Sequence, residues 1–304
     1  MKKDTFYITG ANKQKIYVRR YESDSNNGGT KKVVQILHGM AEYGDRYDGF
    51  AKYLTEEGYI VFIHDHRKHG KSISDDQKVG YYDTDTWTEM LEDIEIVQQG
   101  LVDKEGIDHV IMIGHSMGSF LLRNYLIDYG ERVTKAVIIG TGDTDLVMSK
   151  AGLQAAKLIG KIAPNKPSKM LNDLSVGKYN KAFKPNRTEL DWLTRDNNIV
   201  DWYVNSPLCG YAYTPKFYEE IAKGVLYIIN EEAISQTPRI PLLFVSGEKD
   251  PVGDYGQGVK KVSEIYKLQG YKVDVELYAN ARHEVLNELN KVEVYKRISD
   301  FLKD

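Results

Sequence analysis

Short runs of apolar, often β-branched residues alternate along the chain with longer stretches in which apolar side chains return every three or four positions. Thr5–Thr9 and Lys15–Tyr21 flank an Ala-Asn-Lys turn and predict an opening hairpin. Val33–Leu37 predicts a buried strand ending at His38 and Gly39, Tyr47–Glu57 a helix stopped by Gly58, and Tyr59–Ile63 the next strand. Thr86 and Glu89 stand at capping-box spacing, ahead of Trp87, Met90, Ile94, Val97 and Leu101 on one helical face. His109–Ile113 predicts a strand, Phe120–Ile127 a helix closed by Gly130, and Ala136–Ile139 another strand. Pro241–Val245 and Lys272–Leu277 predict two more strands around a helix near Val259–Leu268. Val285, Leu289, Val292, Tyr295, Ile298 and Leu302 line one side of a terminal helix. Such alternation predicts an α/β fold with a mostly parallel sheet covered on both faces.

Between Thr144 and Pro238 this rhythm breaks, and helical pieces, prolines and aromatics replace the strands. The expected organisation is a core built from residues 1–143 and 239–304, with a helical cap over 144–238 carried across the top of the sheet. Aromatic walls suit an acyl or aryl group. Trp192, Trp202 and Tyr203 of the cap, with His38 of the core, are therefore candidate substrate contacts; the competing reading makes the cap rings its own core. Ala151–Ile162 sets lysines 157 and 161, with Lys150 just before it, against an apolar side. A helix of that kind can rest transiently on a membrane or micelle, or simply pack on its neighbour.

Composition narrows the classes further. With 41 Lys and Arg against 44 Asp and Glu, the 304-residue chain carries a formal charge of −3. No single-sign field draws it to nucleic acid. Met1–Gly10 has charges but no continuous apolar run, so neither a secretory leader nor a span is expected, and cytoplasmic is the default expectation. Cys209 is the single cysteine, which forbids an internal disulfide and suits a reducing compartment. His64, His66 and His69 stand near Asp65, and histidines at i and i+2 share a strand face. No matching carboxylate or cysteine cluster accompanies them, so no metal is expected. Nothing in the pattern specifies an oligomeric state.

The candidate chemistry begins at Gly114-His115-Ser116-Met117-Gly118, between a predicted strand and a predicted helix. At such a junction the turn is so tight that the serine takes a strained backbone conformation and only residues without bulk fit two positions either side. The hydroxyl then stands clear of the sheet, and the helix N-terminus is aimed at any anion that forms there. A serine hydroxyl is a weak nucleophile near neutral pH until a base takes its proton. That base is usually a histidine oriented by a carboxylate. Asp250 follows one late strand and His283 the last, so Ser116, Asp250 and His283 are expected as nucleophile, orienting acid and base. Glu248 and Asp254 remain alternatives for the acid. Acyl transfer also puts charge on the carbonyl oxygen, and the backbone amides of Met40 and Met117 are the expected donors to it.

Five separated motifs carry a family resemblance. His38–Tyr47, His64–Ser72, Gly114–Gly118, Asp250-Pro251 and Arg282–Glu284 resemble the monoglyceride lipase and lysophospholipase branch of the α/β-hydrolases, a branch that includes serine aminopeptidase S33-type enzymes. The likeness spans Val33–Thr141 and Pro241–Asp304. It implies an eight-stranded sheet, a helical cap, no cofactor, a loop-bracing role for the histidine-rich segment, and hydrolysis of small single-chain acyl esters such as monoacylglycerols or lysophospholipids. Two departures stand out: Lys68 replaces the glycine usual between Arg67 and His69, and Met40-Ala41 replaces smaller residues near the oxyanion loop. An amidase or aminopeptidase on the same scaffold, or a binding protein that keeps the fold without catalysis, are the alternatives.

Overall fold

The computed structural model describes residues 1–24, 31–74, 77–143 and 146–303. Thr144, where the insertion is expected to begin, lies outside the described residues. Strands β1 (Lys2–Thr9) and β2 (Lys15–Glu22) form the opening hairpin. Then come β3 (Lys32–Leu37), a 3₁₀ turn over Gly44–Tyr47, α1 (Asp48–Glu56), β4 (Tyr59–His64), α2 (Thr86–Glu105), β5 (Val110–His115), α3 (Met117–Tyr129) and β6 (Val133–Ile139). Helices follow with no strand among the described residues: α4 (Leu146–Ile162), α5 (Lys169–Ser175), α6 (Asn197–Asn205), α7 (Pro215–Ile228) and α8 (Glu231–Ile234). Strand β7 (Leu242–Gly247), helix α9 (Gln257–Leu268), β8 (Val273–Tyr278) and α10 (Lys291–Lys303) complete the chain.

The eight strands form one sheet in the order β1-β2-β4-β3-β5-β6-β7-β8. Only the β1/β2 and β2/β4 pairs are antiparallel. Successive strand side chains point to opposite faces, and both faces here are apolar. Ile60, Phe62, Met112, Ile138 and Phe244 pack on one side with residues of α2, α3 and α9. Val61, Ile113, Val137 and Val245 pack on the other with α1 and α10. Burying each such side chain stabilises the fold by roughly 1.5–3 kcal/mol. That is why these strands appear in the sequence as continuous apolar runs rather than alternating ones. Because β3, β5, β6, β7 and β8 run parallel, the loops after Leu37, His115, Ile139, Gly247 and Tyr278 gather along one edge, where open α/β sheets carry their ligands.

Two local expectations need correction. The capping box does not form: Asp85 occupies the N-cap position without a side-chain cap bond, and Thr86 is already helical. Glu89 is buried and accepts instead from Arg67, Thr84 and Asn12. The expected helix over Tyr47–Glu57 forms as α1, one residue shorter at each end, with the 3₁₀ turn ahead of it. The terminal helix begins at Lys291, after a 3₁₀ turn at Val285–Asn287, so Leu289 precedes it. Leu289 and Val292 are both exposed, and Val294 and Phe301 take their places in the core with Tyr295, Ile298 and Leu302. A substituted glycine position is also explained. Lys68 has φ 57, the left-handed region glycine enters without strain, and its ammonium is held by Asp83 at 3.1 Å.

Candidate active site

Ser116 lies on the turn between β5 and α3 with φ 54 and ψ −121, a conformation rarely populated by a residue with a Cβ. Its amide is tied to Ile139 O at 2.9 Å, which anchors the turn to β6. The flanking glycines are required by space. A Cβ on Gly114 would meet Gly118 O at 2.3 Å, and one on Gly118 would meet Leu37 O at 2.3 Å. No side chain fits either contact. The strain at Ser116 is therefore held by close backbone packing against the end of β3.

His283 and Asp250 stand on the loops after β8 and β7, as their positions along the chain imply. His283 Nδ1 lies 3.0 Å from both carboxylate oxygens of Asp250. Asp250 is fully buried and accepts two further bonds, from Ser246 Oγ at 3.1 Å and Val252 N–H at 2.9 Å. The alternative acids Glu248 and Asp254 are exposed. With Nδ1 committed to Asp250, Nε2 is the ring nitrogen left for other partners. The ring is packed against Trp192, with centroids 5.0 Å apart, and against His115 at 4.8 Å. Ser116 and His283 line the same cavity of about 540 Å³. Among the described residues no hydrogen bond joins them, and such contacts commonly tighten only with substrate in place.

The turn after β3 brings Met40 to this cavity beside Met117, the first residue of α3. Gly39 N–H donates to Glu42 Oε1 at 2.5 Å and Ala41 N–H to Tyr213 Oη at 2.6 Å. Of the three amides on that turn, Met40's is the one without a protein acceptor among the described residues.

Beneath the turn lies a charged group with no counterpart in the sequence-based expectations. Arg46 is buried, donates to both oxygens of Glu284 and reaches Glu42 Oε2. Glu42 also accepts from Tyr47 Oη at 2.8 Å and faces His115 Nδ1 at 3.4 Å. Burial alone would raise the Glu42 carboxyl, but the Arg46 guanidinium, aided by His115 and Tyr47, holds it well below the usual carboxylate range. Burial works against charge on His115, and Glu42 and Glu284 outweigh it, raising the imidazole above its ordinary value. The spacing of Glu42 and Arg46 by four residues was visible; that Glu284, far along the chain, completes the cluster was not.

The substrate contacts expected from sequence divide in two. Trp192 and Tyr203 line the cavity. Trp202 does not; it lies 41% exposed on the outside of α6, against Tyr43 and Arg46. His38 is also corrected. Its ring is fully buried, with Nδ1 2.7 Å from Gly39 O and Nε2 accepting from His66 N–H at 2.9 Å. Burial, with the neighbouring imidazoles of His69 and His64, pushes it well below the ordinary histidine value, so it braces the loops as a neutral ring. Burial likewise pushes the Cys209 thiol up to about 12, away from thiolate chemistry.

Strand order, parallel crossovers and a serine on the sharp turn after the fifth strand define the α/β-hydrolase class. Residues 28–290 match the family described as "Serine aminopeptidase, S33", and the chain belongs to that family. Among characterised proteins it is 28% identical over 264 residues to a monoacylglycerol lipase of Mycolicibacterium smegmatis, covering 84% of this chain and 82% of that one. It is 24% identical over 296 residues to the Homo sapiens monoglyceride lipase, covering 95% and 86%. Its fold is shared with a thermostable carboxyl esterase from Bacillus coagulans, with TM-score 0.90, 24% identity, and 100% and 98% of the two chains covered.

Proposed function

We propose that the protein is a serine hydrolase that cleaves small single-chain carboxylic esters, of the monoacylglycerol or lysophospholipid kind, through an acyl-enzyme. The convergence of Ser116, the His283–Asp250 pair and the unspent Met40 amide on one largely apolar cavity carries this reading. Ser116 Oγ attacks the ester carbonyl as His283 Nε2 takes its proton. Asp250 holds the Nδ1–H tautomer and stabilises the imidazolium. The Met40 and Met117 amides receive the oxyanion, an arrangement whose single donors are typically worth about 10²–10³ in rate. His283 then returns the proton to the leaving alcohol, and water repeats the sequence to release the acid. The lipases among the relatives support the ester class. We further propose that residues 144–238 form a cap over a core of 1–143 and 239–304.

The aminopeptidase reading needs an acidic anchor for a substrate amine. Among the described residues, the carboxylates on the cavity wall are otherwise engaged: Glu42 and Glu284 with Arg46, and Asp143 with Lys261. A panel of p-nitrophenyl esters of graded chain length with one aminoacyl arylamide tests the choice. Ester turnover far above the arylamide is expected, together with a single fluorophosphonate label at Ser116. Faster arylamide cleavage, or a label elsewhere, overturns it.

The substrate-bearing surface is proposed to be lipid. Residues 146–178 contain six lysines and one aspartate, Asp173, in a chain of net charge −3. Leu158, Ile162, Met170 and Leu174 stand at 54–85% exposure among them, and Leu174 also lines the cavity. No helix among the described residues is long and apolar enough to cross a membrane, so the contact is interfacial. Co-sedimentation with vesicles containing phosphatidylglycerol is expected and should weaken in Ile162→Glu, with soluble-ester turnover unchanged. Equal recovery of both proteins in the pellet would refute the surface.

A further inference from the structure

Ala41 has φ 53, in the left-handed region that a residue with a Cβ occupies only when its surroundings hold it there. Both polar groups of this residue are gripped by the segment between α6 and α7 or its edge. Ala41 N–H donates to Tyr213 Oη at 2.6 Å, and Ala41 O accepts from Tyr203 Oη at 2.8 Å and from Gly210 N–H at 3.0 Å. These tyrosines lie 162 and 172 residues away in the chain. The Tyr213 phenol is itself fixed from the core. His69 Nδ1 is 3.0 Å from Arg67 O, and His69 Nε2 is 2.9 Å from Tyr213 Oη. With Nδ1–H given to that carbonyl, Nε2 accepts the phenol proton, which leaves the phenol oxygen to accept from Ala41. On the other side of the turn Glu42 holds Gly39 N–H. The Met40 amide is thus framed by two fixed neighbours.

We propose that Tyr203 and Tyr213 are positioning residues for the oxyanion turn, so that the cap completes the catalytic apparatus instead of merely covering the substrate. This rests on the reading of Met40 N–H as an oxyanion donor. Without the phenols the turn relaxes out of its left-handed conformation and the amide loses its aim. Cap displacement would then switch off chemistry for every ester, including those too small to touch the cap wall.

The distinction is measurable. Tyr213→Phe and Tyr203→Phe each remove one hydroxyl and keep the ring, including the stack of Tyr213 on Phe217 at 3.7 Å. Both are assayed on p-nitrophenyl acetate and p-nitrophenyl octanoate, with fluorophosphonate titration of competent sites and a melting curve. The expected result is a kcat per titrated site lowered by about tenfold or more, by the same factor on both esters, with KM within about twofold. A loss confined to the octanoate would make the tyrosines substrate contacts, and unchanged kcat in both variants would make them structural only; either overturns the inference. Turnover that survives Ser116→Ala would instead sink the reading beneath it. Should Tyr213→Phe fail to fold, Tyr203→Phe decides alone.

Discussion

Ser116→Ala is expected to lower kcat for a p-nitrophenyl ester by about 10⁵–10⁶-fold, because it removes the proposed nucleophile and with it the proposed acyl-enzyme step. The melting temperature should hardly move: Ser116 Oγ takes part in no hydrogen bond among the described residues, and alanine keeps the Cβ that already occupies the strained turn. His283→Ala should cost nearly as much, and the double variant little more than either single change, since residues acting as one unit do not add. His283→Ala differs from Ser116→Ala in stability. It leaves Asp250 buried with two donors, Ser246 Oγ and Val252 N–H, in place of the imidazole, so a measurable fall in melting temperature is expected there. Kinetics on the four proteins, corrected for trace contamination with fluorophosphonate, check this. Additive losses, or ester turnover retained without His283, would exclude a shared proton-transfer unit.

What could be read from the chain follows the range of the forces involved. The elbow was legible because its requirements are local: a strand, two positions without room for a Cβ, and an amphipathic helix, all within a few residues. The placement of Asp250 and His283 was legible because parallel topology puts successive strand ends on one edge. Side-chain direction was not. His38 and Trp202 are of the right type and near the right place, yet one ring turns inward to His66 and the other outward to Tyr43. Leu289 and Val292 fit a helical stripe on paper, but the helix starts after Leu289 and turns Val292 to its exposed face. Thr86 and Glu89 have capping spacing, but the buried Arg67 offers Glu89 an ion pair stronger than the backbone amide it would otherwise cap. Tyr213 reads in the sequence only as one more aromatic of the cap. Its value lies in a contact with a backbone amide 172 residues away, which no periodicity encodes.

Arg46→Met should destabilise the fold by about 3–5 kcal/mol at pH 7, because it strands Glu42 and Glu284 in the interior without their cation. The size of the deficit should depend on pH in a defined direction. In the wild-type protein the folded-state pKa of Glu42 lies below its unfolded value of about 4.3, so the stability it contributes is present above that pH and lost as pH falls. In the variant, burial is no longer opposed by the guanidinium. The carboxyl then binds a proton in the folded state at a pH where the unfolded chain does not, and that uptake stabilises the variant as pH is lowered from 7 toward 5. His115 and Tyr47 also face Glu42; Glu42 and Glu284 raise His115 in the wild type while Arg46 opposes them, so loss of Arg46 leaves that contribution below about pH 6.5 undiminished while Glu42 stays ionised. His115 therefore leaves the sign of the difference intact. Chemical denaturation at pH 5, 6 and 7 should show the gap between variant and wild type narrowing with acidity. A constant gap would mean that Gly39 N–H, Tyr47 and His115 keep Glu42 ionised without Arg46. The same variant bears on activity, because Glu42 holds Gly39 at the foot of the turn proposed to bind the oxyanion. A carboxyl that has gained a proton accepts that bond more weakly, and ester turnover of the variant relative to wild type should be lower at pH 5 than at pH 7.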